Sequence, residues 1–202
     1  MTHYFRDPET FQIIEKEILP LLIYEKVRNN RRVIRLWCAG CSSGEEAYSY
    51  AILLKDLLGE EFNEFIVSVH GTDIDSRSLE AAKKGRYLPR QVENVRPAFL
   101  KRYFTFDGEM YQVSDEIKGM VHFRKQDLFT GEKSKHYDLI SCRNVFIYFS
   151  KEMQSKLFAE FYKGLNEGGY LVIGKTETLF GEARDRFLTI NSRERIFQKE
   201  KR

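Results

Sequence analysis

Apolar positions recur along the chain in two alternating patterns, short continuous runs and stripes spaced three or four residues apart. Phe11, Ile14, Ile18, Leu22 and Val27 form the first stripe. Asp7-Pro8-Glu9 ahead of it supplies a helix start, with proline early and an acid in the first turn. Pro20 inside the stripe predicts a kink or interruption. "VIRLWCA" then reads as a buried strand, and 45–58 as a helix that turns Ala47, Tyr50, Ala51, Leu54 and Leu58 inward. "FIVSVHGTDID" is a second strand, and "SRSLEAAKKG" a short helix that Ser76 caps and Gly85 ends.

From Tyr87 to about Phe123 the alternation breaks. "RPAFLKRYF" reads as a short helix leading into "FTFDGEMYQV", where Asp107-Gly108 between alternating apolar residues signals a hairpin. "MVHFRKQDL" and "YDLISCRNV" are strands, "SKEMQSKLFAEFYKGL" is an amphipathic helix and "GGYLVIG" a buried strand. "FLTINSRERIFQKE" offers two short strands for an antiparallel edge. The pattern predicts one α/β domain over 1–202: a mainly parallel, doubly wound sheet with an antiparallel C-terminal edge. A small β-hairpin subdomain is inserted into it at about 103–123.

Composition changes this picture little. With 202 residues and 42% hydrophobic content the chain can bury a sizeable core. No apolar run approaches the roughly 18 residues of a membrane span, and the start Thr-His-Tyr-Phe-Arg after Met1 lacks a signal-peptide layout. A cytoplasmic protein without membrane insertion is expected. Three cysteines, an odd number, argue against a disulfide framework. Cys38 and Cys41 form a C-x-x-C, but His3, His70, His122 and His136 are scattered, so small-residue packing is expected over a metal site. The net charge of +3 does not indicate nucleic acid. Seven bases between Lys83 and Arg102, against the single acid Glu93, read either as a solvated face or as a docking surface for an acidic partner.

Candidate chemistry sits where the first strand ends. In "LWCAGCSSGEE" small residues around Ala39 and Gly40 join that strand to a helix, a place that ordinarily receives phosphate. Glu45 and Glu46 would repel one. Asp73, at the end of the second strand and 29 residues beyond Gly44, can accept both hydroxyls of a ribose. A ligand with a ribose, no phosphate and a cationic sulfonium and ammonium satisfies all three features. S-adenosylmethionine (SAM) is such a ligand, and its demethylated product S-adenosylhomocysteine (SAH) keeps the ribose and amino acid ends.

Six segments, in order and over nearly the whole chain, resemble the CheR-type chemotaxis receptor methyltransferases: "THYFRDPETF", "WCAGCSSGEEAYSYA", "GTDIDSRSLEAAKKGRY", "KRYF", "YDLISCRNVFIYF" and "GGYLVIGKTE". The resemblance implies a Rossmann-like class I SAM-dependent fold and a monomeric protein-glutamate O-methyltransferase. It would esterify glutamates on the cytoplasmic domains of chemoreceptors. By motif position, Thr2 and Arg6 would contact the methionine end of SAM, Glu45 the methionine moiety and Asp73 the ribose. Asp127 and Leu128 would lie near the adenine, Arg143 and Asn144 would line the pocket, and Tyr148 would stand beside the transferable methyl. The family's usual N-terminal helical domain has no counterpart in these residues. An Asn normally two residues before the position of Thr2 would fall before Met1, and the hairpin is compact. A non-catalytic SAM-binding module, or a methyltransferase for another protein, is the alternative.

A glutamate substrate, with a pKa of about 4.3, is ionised at neutral pH and needs no general base. Positioning and a group that holds the carboxylate suffice. Arg6 and Tyr148 are the catalytic candidates, with Arg143 a third. Each has an ordinary reading: Arg6 paired with Asp7 or Glu9, Tyr148 in the core, Asp127 bracketing a turn before Phe129, Glu46 as a first-turn acid.

Overall fold

A computed structural model describes residues 2–131 and 136–201. The first helical stripe forms α1 (Pro8–Ile13) and α2 (Leu19–Arg28), joined by a π-helical turn over Ile14–Ile18. The π turn ends two residues before Pro20, whose ring and missing N–H disrupt the regular ladder, and this is the form the expected interruption takes. β1 (Val33–Ala39) leads into α3 (Glu45–Leu58), and β2 (Ile66–Asp73) into α4 (Ser76–Lys84). The α4 cap differs from expectation. Asp75, one residue earlier than Ser76, accepts the backbone N–H groups of Arg77 and Ser78, while Gly85 ends the helix at φ +66° as expected.

β3 (Arg86–Tyr87), α5 (Pro97–Tyr103), β4 (Phe104–Phe106), β5 (Tyr111–Val113) and α6 (Asp115–Lys118) follow. β4 and β5 pair as the hairpin around Asp107-Gly108, and β3 adds a third strand, giving the order β3-β5-β4. The third strand escaped the sequence pattern because two residues are too few to show alternation.

β6 (Val121–Lys125), β7 (Tyr137–Cys142), α7 (Lys151–Gly164), β8 (Leu165–Ile173), α8 (Glu182–Arg186), β9 (Phe187–Asn191) and β10 (Ile196–Lys199) complete the chain. The main sheet runs β6-β2-β1-β7-β8-β10-β9. Its first five strands are parallel, and β10 and β9 form the expected antiparallel edge.

Both faces of the sheet are buried, because alternate residues feed separate cores. Ile34, Leu36 and Cys38 of β1 join Leu139 and Val172 on the face covered by α3. Trp37 and Ala39 join Ile140, Leu171 and the α7 residues Phe158 and Phe161 on the other. Strand order reverses between β1 and β7, so the crevice for a ligand opens beyond the C-terminal ends of the strands there. No helix among the described residues is long and apolar enough to cross a membrane.

Candidate functional site

The turn after β1 is shaped by its backbone. Gly40 and Cys41 donate N–H bonds to the Thr72 carbonyl (2.8 and 2.9 Å), which folds the chain back over β2. Gly40 has φ +76°, and a Cβ there would stand 2.5 Å from the Val145 side chain, so only glycine fits. Ser42 N–H then donates to Asp73 Oδ2 (2.7 Å), and Asp75 N–H donates to Asp73 Oδ1 (2.9 Å). Both carboxylate oxygens are aimed by backbone donors and keep further acceptor capacity.

A cleft of about 650 Å³ opens over these strand ends. From the turn and β2 it is lined by Gly40 and Asp73, and from the segment after β6 by Asp127 and Leu128. Arg143, Asn144 and Tyr148 line it from the segment after β7, and Thr2 and Arg6 from the N-terminal segment. Nine of the eleven residues singled out from sequence therefore share one cavity. Its wall also carries Ile74, Phe129, Val145 and Phe149, which makes one side apolar.

Ala39 and Glu45 are placed elsewhere. Ala39 is buried in the core with Trp37. Glu45 has no exposed surface. Ser43 Oγ donates to its carboxylate at 2.8–2.9 Å and the Gln91 side-chain amide at 2.7 Å, so it lies beneath the turn. Ser43 Oγ is also 3.2 Å from Thr2 Oγ1, which links the buried acid to the cleft wall. Glu46 is more than a first-turn acid: its carboxylate accepts from Arg143 Nη1 at 3.1 Å.

The three cationic or phenolic candidates separate by their partners. The Arg143 side chain is 1% exposed. It donates to Glu46, to the Arg6 carbonyl (3.0 Å) and to the Asp7 carboxylate. Burial works against its charge, but Glu46, Tyr50 and Asp7 outweigh that and hold the guanidinium above its ordinary range. Arg143 thus ties the N-terminal segment to the end of β7 and the start of α3. The Arg6 guanidinium has no hydrogen bond or ion pair among the described residues, so the surface pairing with Asp7 or Glu9 is not made. Tyr148 is 79% exposed, which excludes the core reading. Asp127 accepts the Phe129 N–H (2.8 Å) and so brackets the turn while facing the cleft.

Cys38, Cys41 and Cys142 are buried and unpaired, and burial pushes all three thiols well up, leaving them poor nucleophiles. Among the described residues no group of three or more His, Cys, Asp or Glu could hold a metal ion. Of the seven bases near the hairpin, Lys83, Arg86, Arg96 and Arg102 pair with Glu80, Asp107, Glu15 and Asp56. Lys84, Arg90 and Lys101 make no ion pair among the described residues. The charge open to a partner is smaller than the sequence suggests.

Two residues went unnoticed in the sequence reading. Gln91 ties the segment between β3 and α5 to Glu45, and Glu177 accepts backbone N–H bonds from the loop that carries Asn144. Glu177 stands in the quoted "GGYLVIGKTE"; a lone acid shortly after a buried strand was the available signal.

SAM fits this site on the structure's own terms. Asp73 is a pre-aimed acceptor, the Gly40 turn admits close backbone approach, and the cleft volume suits a ligand of nucleoside size. Asp73→Ala is expected to weaken SAH binding by about 1–3 kcal/mol, the scale of a lost hydrogen bond to a charged group. Calorimetry on folded protein that returned the parent affinity would remove Asp73 from the site.

Residues 1–196 match the family described as CheR methyltransferase, SAM binding domain. A chemotaxis protein methyltransferase of Listeria innocua is 33% identical over 189 residues, covering 94% of this chain and 69% of that protein. One from Borreliella burgdorferi is 37% identical over 185 residues, covering 89% and 65%. The chain thus spans about two thirds of the length of these relatives. Among solved structures, PKMT2 from Rickettsia typhi in complex with AdoHcy aligns with a TM-score of 0.43 at 17% identity, over 69% of this chain and 20% of that one.

Proposed function

The chain belongs to the CheR family of SAM-dependent methyltransferases, and from that premise we propose that it methylates glutamate side chains on the cytoplasmic domains of chemoreceptors, forming methyl esters. One observation carries the reading beyond the family. The Arg6 guanidinium, without a partner among the described residues, and the exposed Tyr148 side chain line the same cleft as the pre-aimed Asp73.

Bound SAM supplies an electrophilic methyl on a sulfonium that leaves as a neutral thioether. The remaining work is the protein's. Asp73 holds the ribose end through acceptor capacity its two backbone donors leave free. Asp127 and Leu128 flank the base, with Ile74 and Phe129 on the apolar wall. Arg6 receives the incoming carboxylate without pairing it so tightly that attack is quenched, and the Tyr148 hydroxyl orients the reacting groups. The carboxylate is already ionised, so no side chain need take a proton, and catalysis comes from alignment. Arg143 acts one step back by holding the Arg6 backbone.

Incubation with methyl-labelled SAM and purified receptor cytoplasmic domains is expected to yield base-labile label on glutamates. Tyr148→Phe should lower kcat on the order of tenfold while SAH affinity stays near the parent value, the pattern of an interaction made in the transition state. Base-stable label, or no transfer to any receptor domain, would overturn the proposal.

A further inference from the structure

We infer that Glu177 is a positioning residue for methyl transfer: its buried carboxylate holds the loop bearing Asn144 and Tyr148 in the reacting conformation. The inference rests on the methyltransferase reading above. Glu177 follows β8 and is 5% exposed. Its Oε2 accepts the N–H groups of Gly174 (2.6 Å) and Asn144 (3.2 Å), and its Oε1 accepts that of Phe146 (2.9 Å). No cation pairs with it among the described residues. Three backbone donors face the group, which suits an acceptor-only carboxylate.

The loop is built to receive it. Asn144 is left-handed at φ +61°, and Val145 returns to the right-handed region at φ −109°, ψ −35°. Such a pair turns the N–H groups of residues 144 and 146 toward one point, forming an anion nest. Here the anion is a side chain of the same protein. Space around it is tight, since a Cβ on Gly174 would lie 2.8 Å from the Glu177 carboxylate and 3.0 Å from Asn144 N. Phe146 is pinned twice, by its N–H and by its ring stacked on Phe158 with centroids 4.6 Å apart. The short helical turn Phe146–Tyr148 starts from that anchor, and Tyr148 N–H bonds back to the Val145 carbonyl (3.2 Å). Without the carboxylate, buried N–H groups lose their acceptor and the left-handed Asn144 loses the contact that fixes its N–H. The cleft would then lose the placement of Asn144 and Tyr148 while Asp73, on a different strand, stays put.

Glu177→Gln tests this, because a carboxamide offers one oxygen and must turn its NH2 toward a backbone N–H. In amide NMR spectra of the ligand-free protein, the Asn144 and Phe146 signals are expected to move upfield while signals from β1 and β2 hold. The kcat at saturating SAM and receptor should fall about tenfold or more, with SAH affinity changed less than about threefold. Glu177→Asp keeps the charge with a shorter reach and should recover part of kcat; it carries the same measurements if the Gln variant does not fold. Parent kcat in Glu177→Gln, unmoved Asn144 and Phe146 amides, or kcat and SAH affinity falling together would overturn the inference. Lack of methyl transfer by the parent chain would instead defeat the functional reading, since the amide shifts are read without substrate.

Discussion

Arg143→Ala is expected to destabilise the folded chain by about 3 kcal/mol, toward the lower end of the cost of breaking a buried ion pair. The guanidinium is almost wholly buried and bonds two carboxylates and a carbonyl. Removing it leaves Asp7 and Glu46 without their cation and the Arg6 carbonyl without a donor. The partner carboxylates retain 30% and 21% exposure, so water takes up part of the loss, which argues for the lower figure. Denaturant unfolding with an unchanged slope would measure it. A loss below about 1 kcal/mol would mean that the N-terminal segment is held by other contacts, such as the Phe5 N–H to Ser49 Oγ bond (3.0 Å). The same variant frees the segment that carries Arg6, so SAH binding and turnover should fall with stability.

Arg6→Ala is expected to act in the opposite way, leaving stability within about 0.5 kcal/mol of the parent and lowering kcat/KM for receptor roughly 10²–10³-fold, the scale of removing one electrostatic contact to the reacting groups. The two arginines are of one residue type and both line the cleft, yet their partners differ. Both terminal nitrogens of Arg143 are bonded within the protein, while the Arg6 guanidinium has no partner among the described residues and lines the cleft. Arg6→Lys should recover only part of the activity, because an ammonium cannot present two parallel donors to a carboxylate. Parent kcat/KM in Arg6→Ala would leave Tyr148 and Asn144 to hold the substrate. Together the two variants distinguish a group that builds the site from one that works in it.

Much of the fold was legible because it is written in short-range patterns. "VIRLWCA" and "YDLISCRNV" carry apolar residues on both faces, as strands buried in a parallel sheet do; the first became β1, and the second became β7 only over Tyr137–Cys142. Asp107-Gly108 marked its hairpin, and Gly85 the end of α4. The two-residue β3 was invisible, and Asp75 rather than Ser76 took the α4 cap, since adjacent capping residues compete on backbone geometry. Asp73 was readable as a cleft residue because it ends a strand beside the small-residue turn.

The sequence by itself determined the alternation of the main strands and longer helices, the crevice at the strand ends and the acid that faces it. These follow from residues within a turn or a strand of one another. What only the tertiary structure decided is which of several chemically similar groups remain free. Glu45 was drawn under the turn by Gln91, 46 residues away, Arg143 was claimed by Asp7 across 136 residues, and Glu177 found its three N–H donors on two segments. A charged side chain is satisfied by whichever partner the fold brings within about 3 Å, and no local pattern records a partner that far along the chain.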